Sequence, residues 1–160
     1  MKYIGMIMVT LAVYWFGNEY VKRVKNNIGE CEAFLKFIAY MKLQMSGFAR
    51  SPKEIAESFE CDRLKKTGFL DAVSSEDNIY LAYTKIKDTL SLGREESEVL
   101  EPLFDALSEV SLEEGIALLE SAGARLREIS ERRKQDGEKS IKLAYTVSSA
   151  ISLGFIIFAV

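Results

Sequence analysis

Carboxylates are the most numerous chemistry-bearing groups in this chain, and several stand side by side: Glu95-Glu96, with Glu98 and Glu101 just beyond, and Glu113-Glu114. Two carboxylates that converge on one substrate can divide acid and base work between them. Adjacent residues of a helix diverge, however, and side chains meet only three or four positions apart. These pairs therefore read as a solvated face and not as an acid–base dyad. The chain has no His, which excludes a Ser-His-Asp triad, a Cys-His pair and His-ligated zinc. Cys31 and Cys61 are its only cysteines, too few for a four-thiolate zinc or iron–sulfur site and for a disulfide scaffold. Cys31 falls in an apolar stripe, and Cys61 stands between Glu60 and Asp62, whose charges would repel a thiolate. No G-x-x-x-x-G-K-S/T string and no D-x-D-x-D-G loop occurs, and Gly93-Arg94 and Gly123-Ala124-Arg125 are isolated. The expectation is a protein that is not an enzyme, with no cofactor and no metal site. A formal charge of −3 argues against a general nucleic-acid binder.

The elements that carry these residues come next. At 160 residues one compact domain is the expectation. Mean composition looks ordinary, but its distribution does not. Residues 3–17 (YIGMIMVTLAVYWFG) and residues 143–160 (LAYTVSSAISLGFIIFAV) are uncharged and mostly apolar. A membrane-spanning helix needs about 17–25 apolar residues. The second run has that length, and the first reaches it with its flanking residues. Tyr14 and Trp15 lie near the end of the first run, where such rings favour the membrane interface. A secretory signal peptide is the competing reading of that run, but no small-x-small cleavage site follows it. A buried core helix is the competing reading of the second, and it would need burial on all sides. The expected division is a membrane helix at 1–21, a cytosolic helical bundle at 22–142 and a membrane helix at 143–160.

Charge sets the expected orientation. Lys22, Arg23 and Lys25 follow the first run; Arg132, Arg133, Lys134, Lys139 and Lys142 precede the second; only Lys2 lies on the far side. The excess of basic residues on the cytoplasmic side of membrane helices places the middle of the chain in the cytosol, where its cysteines stay reduced. Residues 51–120 hold 17 acids against 7 bases, and the remainder holds 7 acids against 14 bases. The membrane-proximal parts are thus basic, with affinity for anionic lipid. The distal part is acidic, either as a solubilising surface or as a face for a basic partner.

Helical periodicity fills the middle, with no convincing period-2 strand. Cys31, Leu35, Ile38, Met41, Met45 and Phe48 recur at three and four. Ser51-Pro52-Lys53-Glu54 is a capping box with proline at the first helical position. Thr67-Gly68 breaks the chain, and Ser75 is positioned to cap a helix with the stripe Ile79, Ala82, Tyr83, Ile86 and Leu90. Val99, Leu100, Leu103, Phe104 and Leu107 mark a further helix, in which Pro102 introduces a kink or moves the start toward Glu101. Ser111 and Glu114 form a second capping box; from there the pattern runs without a stop signal through Ile129, the polar stretch 131–138 is broken by Gly137, and the reading is one very long helix or two nearly coaxial ones from about Leu112 to the end. The fold class expected is all-α: a membrane-anchored antiparallel helical bundle with one transmembrane helix at each end. In the last run Ser148 and Ser152, and Ala150 and Gly154, place small residues one turn apart, a spacing that lets membrane helices approach one another or a neighbouring subunit of a homo-oligomer.

This layout resembles the stage III sporulation protein AB family. The resemblance rests on the glycine-containing opening run followed by basic residues (5–25), on Phe48-Ala49-Arg50-Ser51-Pro52 leading to Phe59, on Glu98-Val99-Leu100 leading to Leu107-Ser108, and on Lys142 before the last run. The family's Leu-Gly-x-x-Asp-x-x-x-Gln segment differs here, with Ser108, Ser111 and Gly115 at its Gly, Asp and Gln positions, and two expected glycines are Ser148 and Ser152. The family is similar to the inner-membrane platform proteins of type II secretion and type IV pilus systems. The resemblance implies a scaffold in the mother-cell membrane around the forespore. There it would join other membrane subunits of a channel or secretion complex and partner a secretion-type ATPase in the cytosol. On that reading Glu95, Glu96, Glu98 and Glu101 form the ATPase-docking surface. The alternative is a small two-span membrane sensor or regulator unrelated to secretion.

Overall fold

Helices account for all regular structure among the described residues of the computed structural model, which are 2–47 and 50–159; the side chains of 2–7, 9, 10, 13, 148, 151–153 and 155–159 lie outside the description. In chain order they are α1 (Lys2–Gly47), α2 (Pro52–Glu57), α3 (Asp62–Lys66), α4 (Phe69–Ser75), α5 (Ile79–Ile86) with a 3₁₀ turn at Lys87–Thr89, α6 (Arg94–Ala106) and α7 (Leu112–Ala159). The all-α expectation holds. Packing divides the chain into two units, residues 27–132 and a terminal unit made of residues 1–26 with 133–160.

Local chemistry places the helix ends of the first unit. Ser51 accepts from the Glu54 N–H while the Glu54 carboxylate accepts from the Ser51 N–H, so two of the orphan donors at the start of α2 are satisfied at once. Ser111 and Glu114 repeat the arrangement at the start of α7. Gly68, at φ 81°, turns the chain between α3 and α4, a conformation a Cβ would oppose. The cap of α5 is Asn78, whose side chain accepts from the Leu81 N–H at 2.8 Å, and not Ser75. Ser75 ends α4 with its hydroxyl turned back to the Ala72 carbonyl. Asn at an extended residue directly before the helix is the better cap. Pro102 sits inside α6, which begins at Arg94. Phe48, expected to end the α1 stripe, lies outside the described residues.

In this unit α1 and α7 run antiparallel. Lys42 pairs with Glu120, Gly115 lies against Met45, and Gly123 against Ile38, so position falls along α1 as it rises along α7. A Cβ at Gly115 would meet Met45 Cε at 2.9 Å, and one at Gly123 would meet Ile38 Cγ2 at 3.3 Å; the two glycines permit the close approach. Against this pair the short helices bring an aromatic core. Phe34 and Phe37 of α1 contact Phe69 of α4, Phe104 of α6 and, for Phe34, Tyr83 of α5, with centroids 5.2–6.3 Å apart. Such spacing suits edge-to-face contact. Phe34, Phe37, Phe69, Tyr83 and Phe104 are all fully buried.

About half of the side chains of the two expected membrane helices, 1–21 and 143–160, lie outside the description. Among the described residues, no helix is long and apolar enough to cross a membrane.

Candidate functional site

α6 carries the four carboxylates of the expected docking face and separates them. The inner stripe of this helix is Glu96, Val99, Leu100, Leu103 and Phe104, all buried. Glu96 is three and four positions before Val99 and Leu100, so helical geometry turns it inward. It is fully buried and contributes nothing to a surface. Glu95, Glu98 and Glu101 point outward, and each is engaged within the chain. Arg132 Nη2 of α7 donates to Glu95 Oε2 at 2.6 Å. Arg94 Nε donates to Glu98 Oε1 at 2.7 Å. Lys87 Nζ donates to Glu101 Oε1 at 3.2 Å, and that bond holds the Lys87 ammonium above its ordinary range. Burial pushes the Tyr83 phenol up; Ser97 and Lys87 pull against it, and the charges of Glu101 and Glu96 add to it. Tyr83 and Glu96, both buried, thus share one polar neighbourhood with Ser97 and with the more exposed Lys87–Glu101 pair.

The loop that leads into α6 is held from α1, a feature with no counterpart in the sequence reading. The buried Glu30 carboxylate accepts from the Ser91 N–H at 2.6 Å, and Asn27 Nδ2 donates to the Ser91 carbonyl at 2.8 Å. Glu30 precedes Cys31 and lies four residues before Phe34, so a charged residue at the edge of an apolar stripe was the available signal. With Arg132 on Glu95, the start of α6 is fastened to both long helices.

A more open acidic surface lies at α2–α4. There Glu57, Glu60, Asp62 and Asp71, with Lys65, surround a groove of about 420 Å³ whose floor includes Phe59, Cys61 and Leu70. Glu60, Asp62 and Asp71 make no ion pair among the described residues. Cys61 is half-buried there, while Cys31 is fully buried. Among the described residues no group of Cys, Asp and Glu is placed to hold a metal ion.

The terminal unit contains the small residues expected to pack membrane helices. Ala150 and Gly154 are exposed, and a Cβ on Gly154 would meet nothing within 4 Å; the side chains of Ser148 and Ser152 lie outside the description. Met8, Leu11, Tyr14, Trp15 and Phe16 of α1, and Leu143, Tyr145 and Val147 of α7, are exposed as well. A groove of about 330 Å³ runs between the two helices, lined by Tyr14, Gly17, Asn18, Val21, Ala144, Tyr145 and Ser149.

Neither the curated proteins nor the solved structures include a match to this chain. The family model for stage III sporulation protein AB matches residues 2–159. With nearly its whole length covered, the chain belongs to the stage III sporulation protein AB family.

Proposed function

We propose that the protein is a non-enzymatic scaffold of a sporulation-specific channel or secretion complex. Its terminal unit anchors it in the mother-cell membrane around the forespore, and its helical bundle docks a cytosolic secretion-type ATPase. The observation that carries the anchor is the exposure of large apolar side chains in the terminal unit. Met8, Leu11, Trp15 and Phe16 are each more than 60% exposed, a density that soluble surfaces avoid and that a bilayer would cover. Trp15, Tyr14, Tyr20 and Tyr145 suit the interfacial level, with Lys22, Arg23, Lys25, Lys139 and Lys142 beyond them on the cytosolic side.

For docking, the supporting feature is the acidic exterior of the bundle. Glu95, Glu98 and Glu101 supply one patch, already neutralised in part by Arg132, Arg94 and Lys87. Glu60, Asp62 and Asp71 supply a second patch with no ion-pair partner among the described residues. A basic face of the ATPase would meet the second at lower cost, because no existing ion pair has to open.

Thiol labelling tests the topology. Single cysteines beside Met1, in the 95–101 segment and after Val160, with Cys31 and Cys61 removed, would be treated with an impermeant reagent. Labelling of both ends in intact cells, and of the middle only after lysis, is expected. A middle that labels in intact cells would remove the docking model. Pull-down of the ATPase tests the partner: reversing Glu60, Asp62 and Asp71 is expected to weaken capture more than reversing Glu95, Glu98 and Glu101. Unchanged capture by both variants would reject the acidic faces.

A further inference from the structure

We infer that the groove between the two helices of the terminal unit binds an anionic phospholipid. This rests on the membrane-anchor reading above and goes beyond it, because an anchor needs only apolar surface, whereas this groove adds shape and the basic residues that follow it along both helices add charge. Its volume, about 330 Å³, falls within the range of small-ligand clefts, roughly 300–1,000 Å³. Gly17 and Ala144 leave the space open, Val21 supplies an apolar wall, and Tyr14, Asn18, Tyr145 and Ser149 bring hydroxyl and amide groups to its edge. An acyl chain needs the first kind of wall, and glycerol and phosphate oxygens need the second kind of rim.

Charge selects the headgroup. Lys22 follows Asn18 by one turn of α1, and Lys142 precedes Tyr145 by about one turn of α7. Residues 14–26 and 137–149 together hold Lys22, Arg23, Lys25, Lys139 and Lys142 against only Glu19 and Glu138. Lys22 is 3.7 Å from Glu19. Arg23, Lys25, Lys139 and Lys142 are exposed and make no ion pair among the described residues. A neutral headgroup would leave this excess of positive charge uncompensated, whereas an anionic one would answer it.

Trp15 is the chain's only tryptophan and adjoins the groove residue Tyr14, so its fluorescence reports on lipid at the site. The full chain would be reconstituted in phosphatidylcholine vesicles containing a minor, equal fraction of tail-brominated phosphatidylglycerol or tail-brominated phosphatidylcholine. The brominated phosphatidylglycerol is expected to quench Trp15 several-fold more strongly. The Arg23→Gln/Lys25→Gln/Lys139→Gln/Lys142→Gln variant, which leaves the groove intact, is expected to lose that preference. Gly17→Leu, which fills the groove, is expected to lose it too, while both variants still float with the vesicles. Equal quenching of the wild type by the two lipids would overturn the site and leave the anchor standing. A preference that survives both variants would likewise overturn it. Absence of quenching by either lipid, together with failure to float, would overturn the anchor and the site with it.

Discussion

Arg132, near the middle of α7, donates to Glu95 in the first turn of α6 at 2.6 Å, across 37 positions of sequence. The contact closes one side of the bundle, but both side chains are about half exposed, 55% and 49%. Exposed pairs are screened by water and salt and contribute about 0.2–1 kcal/mol. A double-mutant cycle of Arg132→Ala and Glu95→Ala in the full chain, read by chemical denaturation, should give a coupling within that range. Added salt should shrink it. A larger, salt-insensitive coupling would mean that the pair is held by more than its own attraction.

Glu30 has a different weight. It is buried at 7% exposure and its carboxylate accepts the Ser91 N–H at 2.6 Å. Glu30→Ala would strand that donor, at a cost of about 1–3 kcal/mol. Glu30→Gln keeps an acceptor oxygen and should cost less. Hydrogen exchange supplies the local readout: the Ser91 amide should exchange faster in Glu30→Ala, with the amides of α4 unchanged. Equal stability of the two variants would show that the bond is incidental.

Much of the fold was legible because its determinants are local. Ser51 with Glu54, Ser111 with Glu114, and Gly68 each act within a few residues, and the stripes of α5 and α6 follow helical period. Asn78 and Ser75 both suit a cap, and only the exact helix start separates them. Glu96 shares the charge of Glu95, Glu98 and Glu101, which groups it with them, but its register with Val99 and Leu100 marks it as inward. Phe34 and Phe37 lie between the positions of the stripe read along α1, because a helix packed by several short partners buries a wider face than one stripe. The Glu30–Ser91 contact spans 61 positions, and no periodic signal crosses such a distance.

Two glycines separate backbone from packing effects. Gly68 adopts φ 81° with nothing within 4 Å of its Cβ position, so Gly68→Ala costs only the left-handed conformation, about 1–2 kcal/mol. Gly115 is helical, and a Cβ there would lie 2.9 Å from the end of Met45. Gly115→Ala gains helix propensity of up to about 1 kcal/mol against a displacement of that flexible side chain. Gly115→Leu overpacks the contact and should lose about 1–3 kcal/mol. Met45→Ala, by making room, should recover part of that loss, and denaturation midpoints of the single and double variants measure it. Full additivity would place the strain of Gly115→Leu elsewhere.

The second capping box gives the bundle an acid-sensitive joint. The Ser111 hydroxyl lies 2.9 Å from Glu114 Oε2 and donates to it, and the Ser111 N–H adds a bond at 3.2 Å. Together they hold the Glu114 carboxyl below its ordinary value of 4.5. A carboxyl depressed in the folded state contributes stability that is present above its unfolded value and lost as pH falls through the folded one. The loss therefore begins near pH 4.5 and deepens below it. Lys87, raised above 10.5 by Glu101, acts at the other limb: its contribution is complete below that value and disappears as pH rises through its folded value. Glu114→Gln should flatten the acid limb of a stability–pH curve and leave the alkaline limb in place, while Glu101→Gln should do the reverse. If Glu114→Gln retained the full acid limb, the joint would lie at another carboxylate.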